Sequence, residues 1–418
     1  ELNTAPLHLF DAFGVELEYM IVNDRSLDVL PITDLLMRAE CGTIQPDVER
    51  GDVSWSNELA LHVVEFKTSL PTPKLTGLAQ QFQDNVVVAN NHLARLDGLL
   101  MPSAMHPWMD PFQEMQLWPH DSNDVYAAFD RIFDCRGHGW ANLQSVHLNL
   151  PFCGDEEFGR LHAAVRLILP LLPGLAASSP IMDGQISSQL DSRLEVYRKN
   201  SHRVPEVAGR VIPEQAFTRA EYDAKIFQPM YAAITPLDPD GLLRDEFLNS
   251  RGAIARFGRG SIEIRVIDIQ ECPAADLAVL QATVSVLKAL VAGQWSDTAA
   301  QKNVSVERLQ TVLLEAIRSG EEAVVSDVDY LKLFGLTSES CTVADIWRQL
   351  VNAAPPETDD CTGPALETIL QDGPLGRRIL GRMQNVAEQD FAAQMRSVYR
   401  ELTECLATGV SFDGTGAK

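Results

Sequence analysis

What the sequence lacks narrows it first. Its seven cysteines (Cys41, Cys135, Cys153, Cys272, Cys341, Cys361, Cys405) are odd in number, widely spread and never in a C-x-x-C pair. That argues against a disulfide framework and a structural zinc site, and for a reducing compartment. No uninterrupted apolar run is long enough to span a bilayer. No basic stretch leads into an apolar segment near the N-terminus, so a cytoplasmic protein with no membrane partner is expected. Positive charge is scarce: 34 Lys+Arg stand against 58 Asp+Glu, a formal net charge of -24. Such a surface repels nucleic acid, and an anionic ligand must be held by local arginines or a metal. Phosphate signatures are missing too. There is no G-x-x-x-x-G-K-[ST], Gly258-x-Gly260 lacks the strand-to-helix setting of a dinucleotide fingerprint, and no G-x-S-x-G elbow occurs.

What is present is acids on strands. Phe13 to Val22 reads as a strand with Glu16 and Glu18 on one face and Val15, Leu17 and Tyr19 on the other. Two carboxylates two residues apart, roughly 6.6 Å between Cα atoms, repel by about 2.5 kcal/mol at an effective dielectric of ~20. A divalent cation relieves that repulsion, as does a wet edge strand. The pattern recurs. Glu58 to Thr68 reads as a strand flanked by Glu58 and Glu65, with Lys67 on the parity of Glu65. Leu143 to Leu150 sets Ser145, His147 and Asn149 on one face, and Ser261 to Ile269 does the same for Glu263 and Arg265. Arg251, Arg256 and Arg259 precede this last strand, and guanidinium groups suit phosphate and carboxylate. Oxygen-rich sites of this kind favour magnesium or manganese with a bridging nucleotide phosphate.

Between these strands helices are expected at Ile32 to Arg38, Leu75 to Leu100, Asn123 to Cys135, Asp155 to Leu172, Leu190 to Asn200, Glu214 to Ala233 and Ala274 to Ala292. Further amphipathic helices follow near Val304 to Ser319, Val343 to Ala353 and Arg377 to Leu406. Met101 to Asp121, with His106, Trp108, Trp118 and His120, reads as a loop suited to lining a site. At 418 residues the chain calls for one large domain with an appendage, or two domains.

The order of Phe13-Gly14-Val15-Glu16-Leu17-Glu18, Glu58 through Thr68, Ser145-Val146-His147-Leu148-Asn149, Ala177-Ser178-Ser179-Pro180 and Ile262-Glu263-Ile264-Arg265 resembles the glutamate-cysteine ligase family, in its bacterial carboxylate-amine ligase branch. The resemblance covers roughly residues 10 to 290 and leaves about Ser296 to Pro374 unmatched. It implies an α+β fold, a glutamine synthetase-like antiparallel sheet forming a bowl with helices on its outer face, over residues 1-295. A helical region, 296-418, would pack against it. By the same resemblance Glu18, Glu58 and Glu65 hold a metal near the amino-acid site, and Glu16, His147 and Glu263 hold one bridging the phosphates of ATP. Arg251 grips the substrate carboxylate, while Arg256 and Arg265 face the transferred phosphoryl group. The implied activity is ATP-dependent amide formation, with Mg2+ or Mn2+, from an amino-acid carboxylate and an amine, glutamate and cysteine being the leading pair. A ligase using ammonia or another amine and a non-catalytic binding or regulatory relative are the alternatives, and a homo-oligomer is compatible with all three.

Overall fold

The computed structural model describes residues 6–121 and 123–414, so the outer limits of the two expected regions, 1–5 and 415–418, lie outside the described residues. Alternating apolar residues build an antiparallel sheet around Gly14–Asn23 (β1). The other strands are Asp47–Arg50 (β2), Val53–Asn57 (β3), Val63–Thr68 (β4), Gly98–Met101 (β5), Ser145–Pro151 (β6), Ala253–Arg256 (β7) and Ser261–Asp268 (β8). Their order is β2-β3-β4-β1-β6-β8-β7, with β5 pairing the end of β1. Fixed antiparallel registers let period-2 side chains form rows across strands, apolar on one face and polar on the other.

The apolar face carries Val15, Leu17, Tyr19, Val64, Phe66, Val146, Leu148, Ile262 and Ile264, all buried in one core with three helices. These are Leu78–Leu93 (α1), Gly154–Ile168 (α2) and Pro273–Val291 (α3). Of the 19 residues in α3, 16 are buried, which is why it is apolar all round. It is also the one described helix long and apolar enough to cross a membrane, and 83% of its apolar window is buried inside the protein. Each fully buried Leu or Phe on this face contributes about 1.5–3 kcal/mol.

The C-terminal helices share this core. Leu309 and Leu313 of Val306–Ser319 (α4), Ile346, Trp347 and Leu350 of Val343–Ala353 (α5), and Leu366 and Ile369 of Thr362–Asp372 (α6) belong to the same buried cluster as the sheet. Trp347 Nε1 donates to the carbonyl of Leu171 at 2.7 Å. Leu375–Met383 (α7) and Phe391–Thr408 (α8) pack on Met20, Val22 and Met101 at the other end of β1. A fully buried ion pair, Arg378 to Glu271 at 2.6 Å, fastens α7 to the segment after β8.

Several expected elements differ; the helix expected over Glu214 to Ala233, for one, begins at Arg219. The helix expected from Leu75 to Leu100 stops at Leu93, Asp97 turns left-handed (φ 55°), and Gly98–Met101 is a strand. The strand expected from Glu58 begins at Val63. Residues 58–62 form the loop of a hairpin with β3, where Ala60 bridges to Leu117. The helix expected over Arg377 to Leu406 breaks between α7 and α8, where Asn385 is left-handed (φ 58°). In the Met101 to Asp121 loop His106 and Trp118 are fully buried in packing. All seven cysteines are free.

Candidate active site

Strand register assembles the site. Across β3, β4 and β1 one row runs Ser56, Glu65, Glu18, and the next runs Ser54, Lys67, Glu16 and on to His147 of β6. A third joins Gly14, Asn149 and Glu263 across β1, β6 and β8. Gly14 packs closely there: a Cβ in its place would sit 3.0 Å from Asn149 Cβ. Glu18 and Glu65 face each other directly, a like-charge pairing that is destabilising unless something positive joins them.

These rows floor a cavity of about 690 Å³ lined by Glu16, Glu58, Glu65, Lys67, His147, Asn149, Arg256, Arg259, Glu263 and Arg265. A smaller cavity of about 350 Å³, between Phe13 and α3, has Glu357 as its one acid. The larger cavity is the one that gathers the acids, His147 and the arginines singled out in the sequence. His147 links the rows: its Nδ1 lies 2.8 Å from Glu16 Oε2, its Nε2 3.0 Å from Ser145 Oγ and 3.8 Å from Glu18 Oε1. Glu18 accepts from the Ser145 amide at 2.7 Å and Glu65 accepts from Ser56 Oγ at 2.6 Å. Asn149 donates to Glu16 at 3.1 Å. Arg256 Nε donates to Glu263 at 3.0 Å. Arg265 Nε also lies 3.0 Å from Glu263, a charge contact without hydrogen-bond alignment.

Five carboxylates (Glu16, Glu18, Glu58, Glu65, Glu263) meet four fixed cations (Lys67, Arg256, Arg259, Arg265), and their protonation shows the strain. Burial first, then the charge of Glu16, raises the Glu65 carboxyl to about 7, with Lys67 and Ser56 opposing. Burial first, then Glu65 and Glu18, pushes Glu58 well above the carboxylate range. Burial also works to raise Glu16. There the hydrogen bond and charge of His147, with Arg265 and Lys67, win and hold it at about 2. His147 is raised: burial opposes its charged form, but Glu16 and Glu18 outweigh burial. Adjacent acids pushed in opposite directions mark a site short of positive charge.

The donor set fits a hard divalent cation. Ligand atoms of Glu16, His147 and Glu263 lie within 4.8 Å of one another, and so do those of Glu18, Glu65 and His147. The first trio coincides with the expected phosphate-side group. In the second His147 takes the place expected for Glu58, which sits in the loop after β3 and lines the same cavity. Arg251 is not brought to the site. It is 3% exposed, pairs with Glu214 at 2.6 and 2.7 Å, and spends its remaining donors on Asn249 Oδ1 and the carbonyls of Glu206 and Val207. The expectation that it grips a substrate carboxylate is thereby corrected, because it does not line the cavity and its guanidinium is held by Glu214 and neighbouring carbonyls. None of His106, Trp108, Trp118 and His120 lines the cavity. Ser56 was missed in the sequence; the alternation Val53-Ser54-Trp55-Ser56 was its only signal.

Residues 12–401 match glutamate-cysteine ligase family 2 (GCS2), a span that takes in the 296–374 stretch the resemblance had left unmatched. A protein of Archaeoglobus fulgidus described as uncharacterized is 30% identical over 397 residues, 94% of this chain and 98% of that one. "Putative glutamate--cysteine ligase 2" of Dechloromonas aromatica is 24% identical over 334 residues, 76% of this chain and 74% of that one. Among solved structures, the glutamate-cysteine ligase of Francisella tularensis in complex with AMP aligns over 96% of this chain and 90% of its own, at 11% identity and a TM-score of 0.50, a likeness of fold. With the match running nearly end to end, the chain belongs to glutamate-cysteine ligase family 2.

Proposed function

We propose that the protein is an ATP-dependent carboxylate-amine ligase, with the γ-carboxylate of glutamate as the activated acid and cysteine as the leading amine. The observation that supports this most is the single cavity where four carboxylates (Glu16, Glu58, Glu65, Glu263) and His147 stand beside Arg256 and Arg265, with Glu18 adjoining Glu65 and His147. Amide formation from a free carboxylate is uphill in water and needs activation. A carboxylate oxygen attacks the γ-phosphorus of ATP, ADP leaves, and an acyl phosphate forms. The amine nitrogen then attacks the acyl carbon, phosphate departs, and the amine's extra proton is released.

The acid groups around His147 would hold Mg2+ or Mn2+, which supplies Lewis-acid charge neutralisation at phosphate oxygens. Glu16, His147 and Glu263 suit the nucleotide side; Glu18 and Glu65, with Glu58 nearby, suit the amino-acid side. Arg265 makes no side-chain hydrogen bond among the described residues, so its guanidinium is free to donate to the transferred phosphoryl oxygens, where preorganised positive charge is most effective. Arg256, anchored on Glu263, adds a second donor.

Glu65→Gln and Glu263→Gln should each lower magnesium-dependent ADP release by at least about 100-fold, the scale on which lost electrostatic stabilisation is felt, while circular dichroism stays unchanged. Near-normal turnover in either variant would sink the metal assignment. A screen of cysteine, ammonia and other amines with glutamate, read by phosphate release, identifies the amine. Absence of ADP formation with every pair would reject a ligase.

A further inference from the structure

β8 does not run evenly beside β6. Ile264 lies opposite Leu148 and Ile267 opposite Val146, so β8 takes three steps where β6 takes two. The irregularity contains Arg265 and Val266. A bulge leaves backbone groups out of the ladder and re-aims a side chain. Here the Arg265 amide donates to the carbonyl of Gly252 at 2.9 Å, and its carbonyl accepts from Arg193 Nη1 at 3.3 Å and Nη2 at 3.4 Å.

Arg193 lies on the short helix Ser192–Tyr197, is 1% exposed and does not line the cavity. Its Nε donates to Asp268 Oδ1. Asp268 is fully buried, and its other oxygen accepts from the Ser178 amide at 2.8 Å and Ser179 Oγ at 3.1 Å. Ser179 Oγ in turn accepts from the Arg193 amide at 3.0 Å. The Ser178-Ser179 segment, Arg193 and the end of β8 are thus one closed buried network. Burying such a pair is costly, and apolar residues of similar volume often serve stability as well. What apolar residues cannot do is hold the bulge carbonyl.

We propose that Arg193, locked by Asp268, is a positioning residue for Arg265: by gripping the carbonyl of the β8 bulge it sets the Arg265 side chain beside Glu263 on the cavity floor. The catalytic consequence rests on the reading of Arg265 given above; the structural consequence does not. The test pairs Arg193→Met/Asp268→Asn, which removes both members of the buried pair, with Arg193→Lys, which keeps the charge and loses the fork and serves alone should the double variant fail to fold. Crystal structures without ligand should show Arg265 off Glu263 and the bulge altered. In turnover assays kcat should fall roughly 10- to 100-fold with KM for the amino acids nearly unchanged, the scale expected for misplacement of about 1 Å. In an Arg265→Met background the same change should cost less than about threefold, since residues acting as one unit are not additive. An intact bulge with Arg265 still beside Glu263, or a full additional loss in the Arg265→Met background, overturns the inference. If the wild type releases no ADP with any amine, the ligase reading fails, and the crystal structures still decide the role of Arg193.

Discussion

Glu65 shows how a row of buried acids holds a proton on one of its members. In the metal-free site its carboxyl is raised to about 7, chiefly by burial and next by Glu16. The folded state therefore holds a proton on Glu65 where the unfolded chain has released it. Stability from this group is fully present below the ordinary carboxylate value and is lost as pH rises through about 7. Glu65→Gln should thus stabilise the metal-free protein at pH 8 by on the order of 3 kcal/mol, seen as a higher melting temperature, and leave it nearly unchanged at pH 4. A lower melting temperature for the variant at pH 8 would contradict that sign. Metal must displace the same proton, and also one from the raised His147, so affinity for Mn2+ should fall as pH drops below about 7. Calorimetry between pH 6 and 8 reads this directly, and pH-independent affinity would count against Glu65 and His147 as ligands.

Elements decide which residues meet, and here Gly14 is the sensitive point. It lies opposite Asn149, whose amide supports Glu16, and has 3.0 Å of room. Gly14→Ala should push Asn149 aside and weaken Mn2+ binding roughly tenfold, as loss of a ligand's supporting hydrogen bond does. Its melting temperature should not fall, since Ala suits a strand interior better than Gly. Wild-type affinity in this variant would show that Asn149 does not orient Glu16. The same alternation made β1, β6 and β8 legible in the sequence, along with the common face of Glu16, Glu18, His147, Glu263 and Arg265. Short elements were less so. Gly98-Leu99-Leu100-Met101 continues a helical spacing as well as it fits a strand, and only pairing with β1 settles it. Arg251 illustrates the other gap: its partner Glu214 is 37 positions away, and no local pattern announces that an arginine in a basic stretch is already engaged. Arg193 was invisible for the same reason, since its role depends on a bulge created by three separate segments.

At the scale of the whole molecule, the C-terminal helices complete the core that supports the sheet. Trp347 is fully buried and hydrogen-bonded to Leu171, while α4, α5 and α6 place Leu313, Ile346, Leu350 and Ile369 in the cluster that contains Val15 and Leu17 behind the acid rows. A region with its own core would melt on its own. One sharing a core should melt with its neighbour, because removing its apolar face exposes the other's. Trp347→Ala should therefore cost about 3–5 kcal/mol and lower a single unfolding transition, with loss of Mn2+ binding tracking loss of helix at the same temperature. A variant that instead shows an early transition in circular dichroism while Mn2+ stays bound would establish the C-terminal helices as a separate unit. Coupled melting would explain why the family match runs on to residue 401: the carboxylates proposed to hold the metal stand on strands whose apolar face belongs to the same buried cluster as those helices.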